Sequence, residues 1–306
     1  MAQAEVVACL TRGKIILLQA GNAQQELHSP YAAEAATRTS APVPFVDVSR
    51  GRRADELCYA FSVAGVSSVF TQIPGSGEER RLFGAEAEIR DLDFSFADEA
   101  LACTVQSKDG SSAIGVLADD GKGMRTVTEG DVIDRGPRWA PGGRGEIVYA
   151  SAGIGRTKAG VRVGLAPSSL HRLNLAESTV EVLVADAKYD YLAPVPVSNE
   201  LIYAIRRPHH APAPSPEGVL GRLLSPFRAK SLSTPSAGEA GVGDELVRIT
   251  ERRMEVVAQG VLAFDVSAAG VLVYSSASAL FRLAAQSSSP SEQIAELEQV
   301  EQLVIC

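Results

Sequence analysis

The chain has 306 residues and a formal net charge of −8 at pH 7, with 45% apolar and 22% charged residues. This composition is typical of a soluble globular protein, and the acidic balance gives no support to nucleic-acid binding, which usually requires a basic face. Apolar runs fall far short of the ~18 residues that a membrane span needs, and the N-terminus lacks the features of a secretory signal. We therefore expect a cytoplasmic protein, without nucleic-acid binding and without membrane contact.

The chain reads as a long series of short strands. The N-terminal region predicts strands at 6–10, 15–18 and 25–27, then one helical turn at 32–36. Groups of two to four short strands follow, divided by turns rich in Gly and Asp, which is typical of antiparallel meanders. The predicted strands are 45–49, 57–61, 67–70 and 80–83; 90–95, 100–105, 112–117 and 124–128; 146–150, 170–175 and 180–184; 201–207 and 244–249; and 262–267, 271–274, 280–283 and 293–297. The segment 292–301 also has a helical composition.

A small motif marks the first strand of each group. It consists of an apolar residue followed by a small one, and it occurs at Val48-Ser49, Phe94-Ser95, Trp139-Ala140, Val197-Ser198, Val266-Ser267 and Ile305-Cys306. Recurrence at this spacing indicates a repeat architecture.

The two chain ends complement each other. The segment 303–306 predicts a first strand with nothing after it, whereas the N-terminal region supplies a second, third and fourth strand without a first. A lone four-stranded meander cannot bury both faces, but radially arranged meanders bury one another. We therefore predict an all-β fold, a six-bladed β-propeller spanning 1–306 as a single domain, closed by a blade shared between the termini. That shared blade is numbered one here.

Blade four carries a recognisable motif. Its residues are Trp139-Ala140-Pro141-Gly142-Gly143, followed by Ile147-Val148-Tyr149. They resemble the W-S-P-D-G-x-x-I-x-F/Y repeat of TolB-like propellers, which are also called WD40-like or PD40 propellers. Blade three has a degenerate copy at 94–98. The resemblance implies a propeller and, often, protein or peptide binding; it implies no single activity, because propellers carry many functions.

Three aspartates precede the motif, namely Asp47, Asp93 and Asp265. If they point into the central channel, three carboxylates can converge on a cation such as Ca²⁺. Alternatively, each caps the backbone of a neighbouring strand or is solvated. The other blades have Arg138, Pro196 and Val304 there, so Arg138 is a candidate partner for one carboxylate.

A long insertion at 208–243 interrupts blade five. Its flanks are rich in Pro, Ala, Ser and Gly, which suggests a flexible loop. Its middle carries apolar residues at helical spacing with nearby positive charge, and the candidates for docking to a partner are Leu220, Leu223, Leu224, Phe227 and Arg228. Such a segment fits a partner's groove or an anionic membrane; the alternatives are that it packs on its own propeller or is disordered.

A second irregularity is the Gly-rich loop at 151–164 in blade four. It matches neither dinucleotide nor P-loop patterns, so we interpret it as a long hairpin loop. Both irregularities follow second strands and therefore lie on one face. Their basic residues, candidates for a recognition surface, are Arg156, Lys158, Arg162, Arg206 and Arg207.

The sequence shows no hydrolase motif and no zinc-ligand spacing. The four cysteines are widely spaced, as expected of reduced core residues. We predict a non-enzymatic scaffold or adaptor that binds a protein partner, with no cofactor beyond the Ca²⁺ just considered. The alternative is a lactonase-like, metal-dependent hydrolase with acidic residues at the channel.

Overall fold

Strands form nearly all of the regular structure. The computed structural model describes residues 6–19, 23–53, 55–118, 123–210, 244–251, 253–284 and 291–306. The N-terminal elements are β1 (Val7–Thr11), β2 (Lys14–Leu18), β3 (Gln24–Glu26) and the helix α1 (Pro30–Thr39). Blade two contains β4 (Phe45–Arg50), β5 (Leu57–Val63), β6 (Val66–Gln72) and β7 (Glu78–Ala85). Blade three contains β8 (Glu88–Ser95), β9 (Ala100–Gln106), β10 (Ser112–Ala118) and β11 (Met124–Thr126).

The remaining strands continue the same series. Blade four contains β12 (Val132–Trp139), β13 (Glu146–Arg156), β14 (Arg162–Leu165), β15 (Ser169–Asn174) and β16 (Thr179–Val184). Blade five contains β17 (Tyr189–Ser198), β18 (Leu201–Pro208), β19 (Glu245–Thr250) and β20 (Met254–Gln259). Blade six contains β21 (Ala263–Val266), β22 (Val271–Ser275), β23 (Ala279–Ala284) and β24 (Glu292–Glu296). The last strand is β25 (Val300–Ile305).

Antiparallel pairing joins these strands into meanders. Blades two, five and six are separate four-stranded sheets, whereas blades three and four are linked by a parallel contact between Ser112 and Ile133. Blade one has the order β25-β1-β2-β3, so its first strand comes from the other end of the chain. The predicted all-β propeller is confirmed, and 292–296 is a strand rather than a helix.

The hydrophobic core lies between the blades. The described residues form six buried clusters, each shared by two neighbouring blades. Side chains alternate along a strand, so Tyr59 and Phe61 of β5 pack toward blade one while Cys58 and Ala60 pack toward blade three. The first strands contact one another in the order β4, β8, β12, β17, β21, β25 and back to β4. Each blade therefore covers a face of two neighbours.

The four cysteines are free, and three of them are buried. Burial raises the pKa of Cys9 and that of Cys103 to about 12, so both thiols are neutral near pH 7. This agrees with the expectation that they are core residues.

Helix α1 is longer than the single turn predicted at 32–36. Pro30 stands at the start of the helix, where its fixed φ and missing N–H carry no cost. The Ser29 hydroxyl caps the helix by accepting from the Ala32 N–H at 3.1 Å. The Glu78 carboxylate accepts from the Tyr31 N–H, and the Ser29 and Tyr59 hydroxyls donate to it at 2.7 Å each. A carboxylate at a helix N-terminus is favourable, so β7 fixes the start of α1. Within the described part of the chain, no helix has the length and apolarity that crossing a membrane requires.

The blade-four motif forms a tight turn between β12 and β13. Gly143 has φ +69°, and a Cβ there would lie 2.7 Å from the Ala97 Cβ of blade three. Asp98 of blade three accepts from the Gly145 N–H at 3.0 Å. The glycine is required because this turn approaches the neighbouring blade closely.

Replacing Phe61 by Ala tests the packing between blades one and two. Its ring is fully buried against the rings of Tyr31, Phe45, Tyr59 and Phe70. We expect the free energy of unfolding to fall by ~3–5 kcal/mol, measured by chemical denaturation. The control, Val182→Ala on an outer strand, removes a side chain that is 56% exposed and is expected to cost less than about 0.5 kcal/mol. Equal losses in the two variants would contradict this assignment of the core.

Candidate functional site

A cavity of about 420 Å³ lies on the propeller axis. This volume is within the range of ligand pockets. The first strand of every blade contributes to its wall, and representative residues are Gln302, Asp47, Asp91, Arg135, Ala193 and Phe264. The cavity is therefore a property of the assembled ring rather than of one blade.

The cavity lies at the end of the ring where the first strands begin. Its lining residues come from the early positions of β8, β12 and β25, together with Gly110 of the turn between β9 and β10 and Arg207 near the end of β18. Asp190, near the start of β17, lies opposite Arg207 in the antiparallel ladder of β17 and β18. Gly110 and Arg207 both lie where the second strand of a blade connects to the third. The connections of this kind therefore surround the cavity mouth. Among them are the β13–β14 hairpin and the two flanks of the blade-five insertion.

Backbone irregularities shape the wall in blades three, four and five. The first strand of each has a bulge, and the cavity-lining residues there have positive φ: Asp91 at 52°, Gly136 at 60° and Ala193 at 47°. Such bulges bend a strand and redirect its side chains and N–H groups. Non-glycine residues in this region are uncommon, so Asp91 and Ala193 hold their conformation because the surrounding structure imposes it.

Carboxylates from one blade receive the N–H groups of the next blade's bulge. Asp47 accepts from the Asp91 N–H, from the Leu92 N–H at 3.0 Å and from the Gln302 amide at 3.2 Å. Asp91 in turn accepts from the Gly136 N–H at 3.0 Å and from the Thr104 hydroxyl at 2.7 Å. Blades two, three and four are thereby joined in series along the cavity wall.

Asp47 titrates far above the usual range of an aspartate. Burial and the nearby Asp91 carboxylate raise the pKa of Asp47 to about 7, while its three hydrogen-bond donors oppose the rise. Burial disfavours the charged form, and a like charge adds to that effect.

Two ion pairs lie near the axis, and one of them reaches the cavity wall, because Arg138 lines the cavity. Arg138 donates to Asp93 at 3.1 Å, and Arg50 donates to Asp265 at 2.8 Å. Arg50 belongs to blade two and Asp265 to blade six, so this pair reaches past blade one. The two pairs also act on each other, because the charges of Asp93 and Asp265 both raise the pKa of Arg50 and of Arg138. They form a small balanced network of two cations and two anions.

The aspartate trio does not form the cation site considered from the sequence. Asp93 accepts from the Trp139 N–H at 2.7 Å, Asp265 accepts from the Ile305 N–H at 2.9 Å, and Asp47 is bound as described above. Each carboxylate thus caps the first strand of the next blade, which was the alternative interpretation. No group of three His, Cys, Asp or Glu side chains in the described ranges is placed to hold a metal ion. The predicted pairing of Arg138 with a carboxylate is confirmed.

The predicted basic surface is largely neutralised. Arg156 pairs with Asp109 and Asp131 at 3.0 and 2.7 Å. Arg206 pairs with Glu245, and Arg207 pairs with Asp244 at 2.8 Å. The sequence shows the cations but not their partners. The pairs of Arg206 and Arg207 depend on the register of β18 with β19, and the pair of Arg156 with Asp109 depends on the contact between blades three and four.

Two residues of that surface have no ion pair with any other described residue. Lys158 lies in the exposed turn between β13 and β14, and Arg162 extends to within 3.6 Å of the position that a Cβ on Gly110 would occupy at the cavity mouth. The predicted docking residues Leu220, Leu223, Leu224, Phe227 and Arg228 lie outside the described residues. Their role in partner binding stays a prediction.

Sequence reasoning missed Arg135 and Asp91, which line the cavity. Both stand a few residues before the recurring motif, and the alignment of Arg90-Asp91 with Arg135-Gly136 was the available signal. The functional meaning of this alignment was not recognisable, because strand periodicity does not indicate where a bulge gives a residue a positive φ.

One serine–histidine contact occurs in blade four. The Ser169 Oγ lies 2.8 Å from the His171 Nε2, but the His171 Nδ1 is buried with no hydrogen-bond partner. A nucleophilic triad requires an orienting acceptor at that nitrogen. Neither residue lines the axial cavity, so the contact does not constitute a hydrolytic site.

Solved structures share this fold along the whole chain. TolB from Acinetobacter baumannii superposes with a TM-score of 0.63 and 11% identity, covering 99% of this chain and 66% of TolB. A chain of the nidogen/laminin complex gives a TM-score of 0.60 and 10% identity, with 98% of each chain covered. A puromycin-hydrolyzing peptidase from Mycobacterium tuberculosis gives 0.57 and 14% identity over 97% of this chain.

The chain therefore spans just under two thirds of that TolB and 52% of the peptidase. No protein-family model and no curated protein sequence matches it. The fold and the axial cavity define a β-propeller. Within that class, the fold is TolB-like, as the blade-four motif predicted.

Replacing Asp265 by Ala tests the carboxylate caps between blades. Asp265 is 1% exposed. Its loss removes the carboxylate that accepts from Arg50 and from the Ile305 N–H, so Arg50 loses its counter-ion and keeps the Val266 carbonyl as an acceptor. We expect a loss of ~3–5 kcal/mol in the free energy of unfolding, as for other broken buried pairs. Asp265→Asn keeps the size and one acceptor, so it should cost less. The control Glu298→Gln removes an exposed pair with Arg12 and should cost less than about 1 kcal/mol. An alanine variant as stable as the control would refute the cap.

Asp47 predicts a pH dependence of stability. Between about pH 4 and about pH 7, the folded chain retains a proton on Asp47 that the unfolded chain releases. The unfolded state then binds fewer protons, so this contribution to stability is lost as the pH rises through that window. Asp47→Asn abolishes the titration. We expect the stability of the wild type relative to Asp47→Asn to decrease steadily from about pH 4 to about pH 7, measured by urea unfolding. An increase would show that the N–H donors outweigh burial.

Proposed function

We propose that this protein is a non-catalytic propeller that binds a segment of a protein partner at the mouth of the axial cavity. The observation that carries the proposal is the position of this cavity, which lies on the same face as the blade-four hairpin and the flanks of the blade-five insertion. A concave site surrounded by loops of a rigid scaffold is a common arrangement for recognition.

Two further observations support this proposal over catalysis. The carboxylates of the channel are bound to backbone N–H groups or paired with arginines. One of the similar solved chains belongs to the nidogen/laminin complex, an assembly of two proteins. We place the partner contacts on Lys158, Arg162 and the insertion, in the cytoplasm.

The base of the insertion is well fixed. Arg207 of β18 pairs with Asp244, which precedes β19, and Arg206 pairs with Glu245. His209 contacts both oxygens of Asp190 at 3.0 and 3.1 Å. We therefore expect the removal of residues 212–240 to leave the strands and their pairings intact.

Affinity capture from the native host, with quantitative mass spectrometry, tests this function. We expect the deletion of 212–240, and separately Arg162→Glu, to abolish capture of the partner while circular dichroism and thermal unfolding remain unchanged. The matched control is Glu177→Arg, in the exposed turn between β15 and β16 on the opposite face. Capture that persists in both the deletion variant and Arg162→Glu would rule out this face as the binding site. Equal loss of capture in the control variant would also rule it out.

A further inference from the structure

The arginines that line the axial cavity differ in their pairing. Arg90 pairs with Glu88, Arg138 pairs with Asp93, and Arg207 pairs with Asp244. Arg135 also lines the cavity, yet among the described residues it has no ion pair. Its Nε is buried and has no hydrogen-bond partner. In the described part of the chain, Arg135 is therefore a cavity-lining cation that has neither an ion pair nor a partner for its Nε.

Two carboxylates near Arg135 accept hydrogen bonds from other groups. The Oδ2 of Asp91 receives the Thr104 hydroxyl and the Gly136 N–H. Asp190 receives the Ser168 N–H at 2.7 Å and contacts His209. Both aspartates act on Arg135 through charge alone, without a hydrogen bond to it.

Positive charge accumulates around this guanidinium. Burial, together with the charges of Arg207 and Arg162, lowers the pKa of Arg135. A buried polar group without a partner costs free energy, and a buried charge costs more. The arrangement is thus unfavourable in the empty protein, and an anion that enters the cavity relieves it.

The surroundings favour a single negative charge. The planar fork of an arginine matches a carboxylate in a bidentate geometry. Asp47, Asp91 and Glu301 also line the cavity, so a phosphate dianion meets more repulsion than a carboxylate does. A cavity of about 420 Å³ admits a short peptide end or an acidic side chain.

We propose that the axial cavity binds a carboxylate group of the partner through Arg135, with Arg162 at the mouth adding to the attraction. This inference rests on the proposed function, because it names the chemical group that the partner inserts. The same chemistry can also come from a small free carboxylate.

Side-chain NMR titration of the full chain, following the Arg135 Nε–H resonance, tests the proposal. The probes are acetyl-tetra-alanine with a free C-terminal carboxylate, the same peptide as its amide, acetate, and inorganic phosphate. We expect both carboxylate probes to shift the resonance and the amide and phosphate to leave it in place. Tighter binding of the peptide than of acetate identifies a peptide source; equal binding identifies a small carboxylate. No shift with any probe, or tighter binding of phosphate, would overturn the assignment.

Variants separate binding from folding. Arg135→Gln should weaken the carboxylate peptide by about tenfold, as expected for the loss of a charged hydrogen bond, measured by calorimetry. Arg125→Gln, on the exposed edge strand β11, is the matched control and should bind unchanged. Arg135→Met should abolish binding and raise the thermal midpoint of the empty protein, because it removes an unpaired buried charge. A lowered midpoint would show that Arg135 is satisfied within the protein and would overturn the proposal.

These probes need no partner. Loss of partner capture with intact carboxylate binding would remove the proposed function and leave the site. Intact capture without carboxylate binding would remove only the site.

Discussion

A four-stranded sheet of this protein has two apolar faces and cannot bury either of them alone. Cys58 and Tyr59 are adjacent in β5, yet they belong to cores shared with different neighbours. Every blade therefore needs two others, and the ring satisfies this requirement for all of them. The ring also determines where the axial cavity lies. The first strands of the blades surround the axis, and at the end where these strands begin their side chains do not fill the centre.

Buried and half-buried carboxylates hold the inner strands in place. Asp47, Asp93 and Asp265 each accept N–H groups from the first strand of the next blade. These bonds satisfy backbone donors that would otherwise be unpaired near the axis. Arg50 and Arg138 balance two of the carboxylates, whereas Asp47 lies beside Asp91 and is held partly protonated near neutral pH. The three aspartates thus share one structural role, the capping of the next blade, but differ in whether a positive or a negative charge lies beside them.

The fold was predictable because strand length, turn residues and the recurring apolar–small motif are local signals. The pairing of β25 with β1 was predictable because the C-terminal segment is a first strand without followers, whereas the N-terminal region has no first strand. The site was less predictable. Arg156 and Arg206 appear in the sequence as free cations, and their partners Asp131 and Glu245 are fixed only by tertiary contacts. Among the described residues, Arg135 has no ion pair because the carboxylates near it accept hydrogen bonds from other groups. The spacing of residues along the sequence does not show this. The positive φ of Asp91 likewise depends on Asp47 in the adjacent blade.

The pairing of Val7 with Ile305 has a consequence for how the protein comes into being. Contacts between residues so distant in sequence form slowly, because a long loop must close first. Gln302 of β25 both lines the cavity and bridges to Asp47 and the Val48 N–H. During synthesis, the wall of the axial cavity consequently stays incomplete until β25 has emerged from the ribosome and docked. A chain that lacks this strand lacks that part of the cavity wall, so the binding that we propose at the cavity requires that β25 has docked.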